Sequence, residues 1–292
     1  KDLNKMSAKS SIKLLVPDGQ GGSLYKWIAV LTGSKNALKG AGFFLGGALL
    51  MWLGFAGAVY SMAVALLLVW MASMVLLKKD LGRAKSKPKF SEVFSKSRAV
   101  NVLSAARLFL FGARDVWFVV ALPVFLASQF DWDHWQVGGF LALWVIGYGA
   151  VQSVAPKITG RSGRGLPDGR TAFGWAAVLT VMPVLIALAL WQGIAPGVSL
   201  VVGLLIFGVL FAVNSSLHSY LIVSYAKEDG VSLDVGFYYM ANAMGRLVGT
   251  VLSGWVYQVA GLIACLWISA AFLALAAIIA LWLPRRLVDE SA

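Results

Sequence analysis

The chain has 292 residues, of which 59% are hydrophobic and only 13% are charged, whereas about 25% of residues are charged in an ordinary soluble domain. A soluble globule of this size cannot bury so much apolar surface, so the composition excludes a soluble enzyme and a disordered chain. The apolar runs are about 20 residues long, as in membrane helices, and lack the alternation of outer-membrane barrel strands. The predicted fold class is therefore an all-α polytopic membrane protein.

Hydrophobic runs predict eight membrane-spanning helices, each near the length of about 20 residues that crosses a bilayer. Their expected positions are residues 37–56, 57–77, 107–127, 136–156, 172–192, 198–221, 236–259 and 261–283. The first helix is expected to begin earlier, near Trp27, so that its first part carries Lys35 and Lys39.

The net charge of +12 follows the predicted topology. Lys and Arg fall in every second connection and at both ends, whereas the turns at 54–57, 128–135, 192–197 and 260–261 contain none. This alternation places the basic connections and both chain ends in the cytoplasm. The basic excess is thus explained by a plasma (inner) membrane topology, and we expect no nucleic-acid partner.

The longest predicted connection, residues 78–106, divides the chain. Two predicted spans precede it and six follow, which favours a transporter made of two six-span halves. We therefore interpret residues 1–77 as the end of an N-terminal six-span bundle, 78–106 as a cytoplasmic linker and 107–292 as the C-terminal six-span bundle. Four of twelve expected spans would then precede Lys1, so we expect an N-terminally truncated chain.

Several segments resemble the ArsJ family of organoarsenical efflux permeases, which belongs to the major facilitator superfamily. In residues 1–156 these segments are KDLNKMSAKSSIKLLVP, LTGSKNALKGAGFFLGGALL, KPKFSEVFSKSRAVNVLSAARLFLFGARDVWFVVALPVFL and WQVGGFLALWVIGYGAVQSVAP. A less distinctive match is FYYMANAMGRLVGTVLSGW in the second half.

The resemblance implies a secondary active transporter, not an enzyme, that exports 1-arseno-3-phosphoglycerate and so gives resistance to arsenate. It also implies a functional partner, the glyceraldehyde-3-phosphate dehydrogenase that makes this substrate from arsenate. No cofactor and no metal site are expected. The alternative is a major facilitator exporter of another phosphorylated or organic anion, because only the resemblance separates arsenic from other anionic esters.

Two arginines in the third predicted span are the first candidates for substrate binding. Arg107 and Arg114 lie seven residues apart, within about 20° on one helix face, and both are expected to face the bundle interior. Guanidinium groups grip phosphate or carboxylate with paired hydrogen bonds, so the pair suits a substrate with more than one anionic group. Alternatively, Arg107 lies at the cytoplasmic interface and extends its charge into the headgroups.

Asp115 is the first candidate for proton coupling, with a buried interhelical ion pair as the alternative. Neighbours on a helix diverge by about 100°, so Asp115 is not expected to pair with Arg114. In the seventh span, Arg246 and Asn242 lie one turn apart and are candidates for substrate binding, although Arg246 alternatively pairs with Asp115. Gly245, Gly249 and Ser253 follow the spacing of close helix packing.

Lys35 and Lys39 share a face of the first span and form a candidate anion-binding pair, unless both lie in the headgroup region. His218, one turn from Asn214, is the second proton-coupling candidate, with a packing role as the alternative. Gln152 is a weaker candidate of this kind. Ser215, Ser216 and His218 would also suit an intramembrane serine enzyme, although nothing marks an oxyanion hole.

Overall fold

The computed structural model describes residues 8–9, 12–13, 16, 20–76, 97–159, 166–226 and 231–284. The regular structure of these residues is helical, and six helical stretches are long and apolar enough to cross a membrane. The predicted all-α class is confirmed. The helices are α1 (Gly21–Leu76), α2 (Arg98–Phe118), α3 (Ala121–Gln129), α4 (His134–Thr159), α5 (Gly169–Trp191), α6 (Pro196–Tyr225) and α7 (Val231–Ala280).

Two of the six stretches each contain two predicted spans. Helix α1 has 56 residues and is interrupted at Gly54 (φ 66°, ψ 179°), and α7 has 50 residues and is interrupted at Gly261 (φ 74°, ψ −174°). Both glycines adopt a positive φ that residues with a Cβ rarely adopt. They lie in the predicted turns at 54–57 and 260–261, so the six long stretches accommodate the eight predicted spans.

The predicted span at 107–127 differs from the structure, because it is divided into α2 and α3 around Val119 and Val120. Pro123 has no backbone N–H to donate to Val119, which removes one hydrogen bond of a continuous helix. The Ser253 hydroxyl of α7 accepts from the N–H groups of Val120 (3.3 Å) and Ala121 (3.1 Å). The break is thus stabilised by hydrogen bonds from a neighbouring helix, and the local sequence around Val119 does not predict that contact.

The start of α2 at Arg98 lies nine residues before the predicted span, so residues 98–106 of the predicted linker are helical. Ser97 of that linker caps the helix, and its residues 78–96 lie outside the described residues. Most of the basic connections, including Arg285 and Arg286, also lie outside them. The predicted domain boundaries and the cytoplasmic orientation therefore stay predictions.

Glycines bring two pairs of helices into close contact. Helix α1 runs antiparallel to α4, with Gly33 against Gly149 and Gly40 against the Ala142 carbonyl oxygen. In α7, Gly245 lies directly against the Leu108 carbonyl of α2, and a Cβ on Gly249 would lie 2.6 Å from the Gly112 carbonyl oxygen. The predicted close packing of Gly245 and Gly249 is confirmed, and it fixes α7 against the face of α2 that carries Leu108, Gly112 and Asp115.

We expect Gly245→Ala to destabilise the protein by about 1–3 kcal/mol, because the added methyl group would push α7 away from the α2 backbone. Gly254→Ala in the same helix is the matched control, since a Cβ there meets no atom within 4 Å. Thermal unfolding in detergent, followed by loss of monodisperse protein, would measure both variants. Equal midpoints for the two variants would contradict the close contact.

Candidate substrate-binding site

Arg107 lies in the interior of the bundle and is tied to two other helices. Arg107 is only 4% exposed. Its Nε donates a hydrogen bond to Asn242 Oδ1 of α7 at 3.0 Å. Its Nη1 donates to the Ser215 hydroxyl of α6 at 3.2 Å and to the Ser215 carbonyl at 3.3 Å. Among the described residues these hydrogen-bond partners are uncharged, so they stabilise the positive charge of Arg107 without neutralising it.

Aromatic rings flank the two arginines of α2. The Phe111 ring centroid lies 3.8 Å from Arg107 Cζ and 5.0 Å from Arg114 Cζ. Both guanidinium groups thus contact one ring, which confirms that the two arginines share a helix face and point inward. The Tyr238 ring of α7 lies 5.1 Å from Arg107 Cζ on another side. Ring faces attract cations, and this attraction is stronger where water is excluded. The rings therefore help to stabilise these charges inside the bundle.

Asp115 is fully buried and shared by two arginines. Its Oδ1 accepts from Arg114 Nε at 2.7 Å and Nη2 at 2.5 Å, and its Oδ2 accepts from Arg246 Nε at 2.8 Å. The pairing of Arg246 with Asp115 is confirmed. The expectation that Arg114 and Asp115 do not pair was wrong. Their Cβ directions diverge, but the long arginine side chain curls back to its neighbour's carboxylate.

The charges of this cluster do not cancel. Two guanidinium groups around one carboxylate leave one positive charge, and Arg107 supplies a second on the same face. Arg114 is 13% exposed at its side chain, whereas Arg246 is 45% exposed. Arg246 can therefore meet a ligand without leaving Asp115. An anion is the ligand that this surplus favours, because an unbalanced positive charge is costly in a low-dielectric interior.

A chain of side-chain hydrogen bonds connects Arg107 to α1. Asn36 Nδ2 of α1 donates to Gln152 Oε1 of α4 at 2.6 Å, and Gln152 Nε2 donates to Ser215 Oγ at 3.1 Å. Ser215 Oγ is also the acceptor for Arg107. Gln152 was a weak candidate from the sequence, whereas Asn36 and the hydrogen bonds of Ser215 were missed. All three are polar residues within apolar runs of the sequence, but the sequence does not show which helices contact one another.

The remaining candidates lie outside this network. Gly33 and Gly40 form the face of α1 that packs on α4, so helical spacing puts the exposed Lys35 and Lys39 on the other side of α1. His218 is buried, and its Nδ1 has no hydrogen-bond partner among the described residues. Among the described residues, no hydrogen bond joins His218 to Arg107, Arg114 or Arg246.

Asn214 and the serines of α6 point to different neighbours. Asn214 Nδ2 donates to the Trp175 carbonyl of α5 at 2.9 Å, away from the arginines. The Ser216 hydroxyl has no hydrogen-bond partner among the described residues, and the Ser215 hydroxyl is bonded to Arg107 and Gln152. Neither serine is therefore hydrogen-bonded to His218, the arrangement expected of an activated serine nucleophile.

Two solved structures share this architecture. One is an outward-facing bacterial homologue of the iron transporter ferroportin, with a TM-score of 0.69 and 15% identity over 92% of this chain and 65% of that protein. The other is the human organic anion transporter MFSD10 (TETRAN), with a TM-score of 0.66 and 17% identity over 94% of this chain and 67% of that protein. The chain therefore shares the fold of these two transporters, a helical bundle of the major facilitator type.

At these identities the likeness shows the fold alone. The chain spans about two thirds of the length of each structural neighbour. The sequence matches no protein-family profile and no curated protein. The arginine cluster thus lies in a helical bundle of the major facilitator type.

We expect Asp115→Asn to destabilise the protein by about 3 kcal/mol or more, because it leaves two arginines around an uncharged amide. The matched control is Asp131→Asn, which changes an exposed turn residue whose φ of 53° suits asparagine. Thermal unfolding in detergent would measure both. Adding Arg246→Gln to Asp115→Asn should restore part of the loss, and no such recovery would contradict the shared ion pair.

We expect Asn36→Ala and Gln152→Ala each to destabilise the protein by about 1 kcal/mol. The double variant should lose clearly less than the two single losses together, because both changes break the same hydrogen bond. Ser34→Ala is the control, since that hydroxyl bonds only to the Leu31 carbonyl one turn earlier. Equilibrium unfolding of the four proteins measures the coupling, and strict additivity would argue against the bond.

Proposed function

We propose that this protein is a secondary transporter that exports an organic anion across the plasma membrane. The observation that carries the proposal is the pair Arg114 and Arg246 around the single carboxylate of Asp115, with the unpaired charge of Arg107 on the same face of α2 as Arg114. In a membrane interior, ionisable groups that face one another commonly mark a substrate path. The surplus of positive charge gives the sign of that substrate.

The spacing of the charges favours a substrate with two anionic groups. Seven helical residues separate Arg107 from Arg114, a rise of about 10 Å. Arg107 is bonded to Asn242, and Arg246 lies one turn further along the same helix. One anionic group at Arg107 and another at Arg246 would therefore suit a short molecule charged at both ends, with each guanidinium able to bind two oxygens.

The substrate that we propose is 1-arseno-3-phosphoglycerate, which the resemblance to the ArsJ family implies. It carries an acyl arsenate group at one end and a phosphate ester at the other, in keeping with two separated arginines. The proposed functional partner is the glyceraldehyde-3-phosphate dehydrogenase that forms it. Trivalent arsenic would instead require two or three thiolates, and the chain has only one cysteine, the buried Cys265.

Metal transport is less well supported by the residues. One structural neighbour is a homologue of an iron transporter, but the described residues contain no group of three His, Cys, Asp or Glu side chains placed to hold a metal ion. The candidate site is basic, which repels a free metal cation. The observations on this chain therefore favour an anion over a metal ion.

The proposed transport cycle rests on the two halves rocking about the central site. With the cavity open to the cytoplasm, Arg107 and Arg246 would take up the anion. Asp115 would stabilise the site while no substrate is bound, because its carboxylate pairs with both Arg114 and Arg246. Asp115 is our proposed point of coupling to a proton gradient, and His218 is the second candidate.

We expect Arg114→Gln and Arg107→Gln each to lower transport at least about tenfold, because each removes a charged hydrogen-bond donor from the site. Everted membrane vesicles containing the full-length protein would be given arsenate, glyceraldehyde 3-phosphate, NAD and the dehydrogenase, and arsenic accumulation would be measured. Arg170→Gln is the matched control, because it removes an exposed arginine at the start of α5.

Accumulation should require the dehydrogenase as well as the transporter. If an inserted and folded protein accumulates no arsenic under these conditions, the arsenical substrate is wrong. Uptake of a labelled phosphate ester such as glycerol 3-phosphate, again abolished by Arg107→Gln, would then support the alternative of another phosphorylated anion. Equal transport by the wild type, Arg107→Gln and Arg114→Gln would overturn the proposed site.

A further inference from the structure

Three buried hydroxyl groups near Arg107 have no hydrogen-bond partner among the described residues. They belong to Ser104 of α2, Ser219 of α6 and Tyr238 of α7, and each of these residues is at most 1% exposed. Buried hydroxyl groups are nearly always hydrogen-bonded in folded proteins, because an unsatisfied one costs free energy. These three come from three different helices, and we call them the hydroxyl layer.

The hydroxyl layer lies next to the network that holds Arg107. Each of its residues is one helical turn from a member of that network, namely Ser104 from Arg107, Ser219 from Ser215 and Tyr238 from Asn242. Helices α2 and α7 run parallel, and they begin at the end of the bundle where α6 finishes. All three steps therefore lead from the network toward that same end. Residues three or four apart share a helix face, so the layer lies on the Arg107 side of each helix.

Side-chain contacts also place the hydroxyl layer against the cation. The Tyr238 ring centroid lies 5.1 Å from Arg107 Cζ. The Tyr238 and Ser219 hydroxyls are close enough to interact, although their geometry is not that of a hydrogen bond. Ser104 lies seven residues before Phe111 and thus on the same face of α2, and the Phe111 ring centroid is 3.8 Å from Arg107 Cζ.

The guanidinium group of Arg107 keeps hydrogen-bond donors for a ligand. Its Nε bonds to Asn242 and its Nη1 to Ser215, whereas its Nη2 forms no hydrogen bond within the described part of the chain. Nη2 carries two N–H donors, and each hydroxyl of the layer can donate one hydrogen bond and accept others. An uncompensated positive charge is thus combined with several donors from three helices.

We propose that Arg107 and the hydroxyl layer form a binding site for a tetrahedral oxyanion, of the phosphate or arsenate type, at one end of the transported molecule. This inference rests on the proposed export of an anion and names the group that binds at Arg107. A carboxylate has two oxygens, which one guanidinium group can bind as a pair. A phosphate or arsenate group presents a third terminal oxygen that needs a donor from elsewhere. The hydroxyl layer supplies it, so the site favours a tetrahedral oxyanion over a carboxylate.

Neutral donors suit a site that must also exist without its ligand. A hydroxyl adds a hydrogen bond to an anion, yet it costs far less to bury alone than a second cation would. Arg107 and the hydroxyl layer are buried in this structure, so the anion would reach them when the halves rock and the cavity opens to the cytoplasm. The segment before α1 contacts the layer here, since Lys9 Nζ lies 5.9 Å from the Tyr238 ring centroid.

The test measures binding to purified full-length protein in detergent, with glycerol 3-phosphate as the probe and glycerate as the matching carboxylate. The wild type should bind glycerol 3-phosphate more tightly. We expect Tyr238→Phe, Ser219→Ala and Ser104→Ala each to weaken binding of glycerol 3-phosphate about tenfold, with little change for glycerate, because each removes a hydrogen bond to a charged oxygen. Ser269→Ala is the matched control, since its hydroxyl is equally buried and unpartnered but lies beyond the turn at Gly261.

Thermal unfolding of the ligand-free variants separates a ligand-binding hydroxyl from a structural one. Tyr238→Phe and Ser219→Ala remove unpartnered groups, so their unfolding midpoints should equal or exceed that of the wild type. Lower midpoints with unchanged binding of glycerol 3-phosphate would assign the hydroxyls a structural role and overturn the site.

The binding results also distinguish this inference from the proposed function. If the wild type binds neither probe, the proposed export of an anion fails and the site fails with it. If the wild type binds glycerol 3-phosphate but Tyr238→Phe, which keeps the ring, binds it equally well, only the hydroxyl site is overturned. Equal losses for glycerol 3-phosphate and glycerate would overturn the selection of a tetrahedral oxyanion.

Discussion

The buried carboxylate of Asp115 is the constraint on which the site depends. It holds Arg114 from its own helix and Arg246 from α7, and it can do so only because Gly245 and Gly249 let the two helices approach closely. A carboxylate alone in this position would be costly, and so would two arginines without it. The glycine contact and the ion pair therefore require each other, and together they leave one positive charge for a ligand.

The buried charge of Arg107 is stabilised without a carboxylate. Its hydrogen-bond partners among the described residues are neutral, and two aromatic rings lie against its guanidinium group. With neutral partners the charge of Arg107 is not compensated, whereas a carboxylate would form an ion pair with it. Through Ser215 and Gln152 the same arginine is connected to Asn36 of α1. A shift of Arg107 would thus reach the contact between α1 and α4 through this chain of hydrogen bonds.

Much of this arrangement could be predicted from the amino-acid order because hydrophobic length and helical spacing are local properties. The eight apolar runs, the turns at Gly54 and Gly261 and the shared face of Arg107 and Arg114 followed from them. The break at Val119 and Val120 did not, since its hydrogen bonds come from Ser253 of another helix. The pairing of Arg114 with Asp115 was also missed, because Cβ direction does not fix where a long side chain ends.

By itself, the sequence determined the class of protein, its span pattern, the sign of its excess charge and the inward face of α2, because each depends on composition or on periodicity along one helix. Only the tertiary structure decided which polar groups meet. It brought Arg246 to Asp115, Gln152 to Ser215 and Lys9 to the ring that Arg107 contacts, and it left Lys35 and Lys39 on the other side of α1. Contacts between helices depend on the packing of the whole bundle, and no single stretch of sequence specifies them.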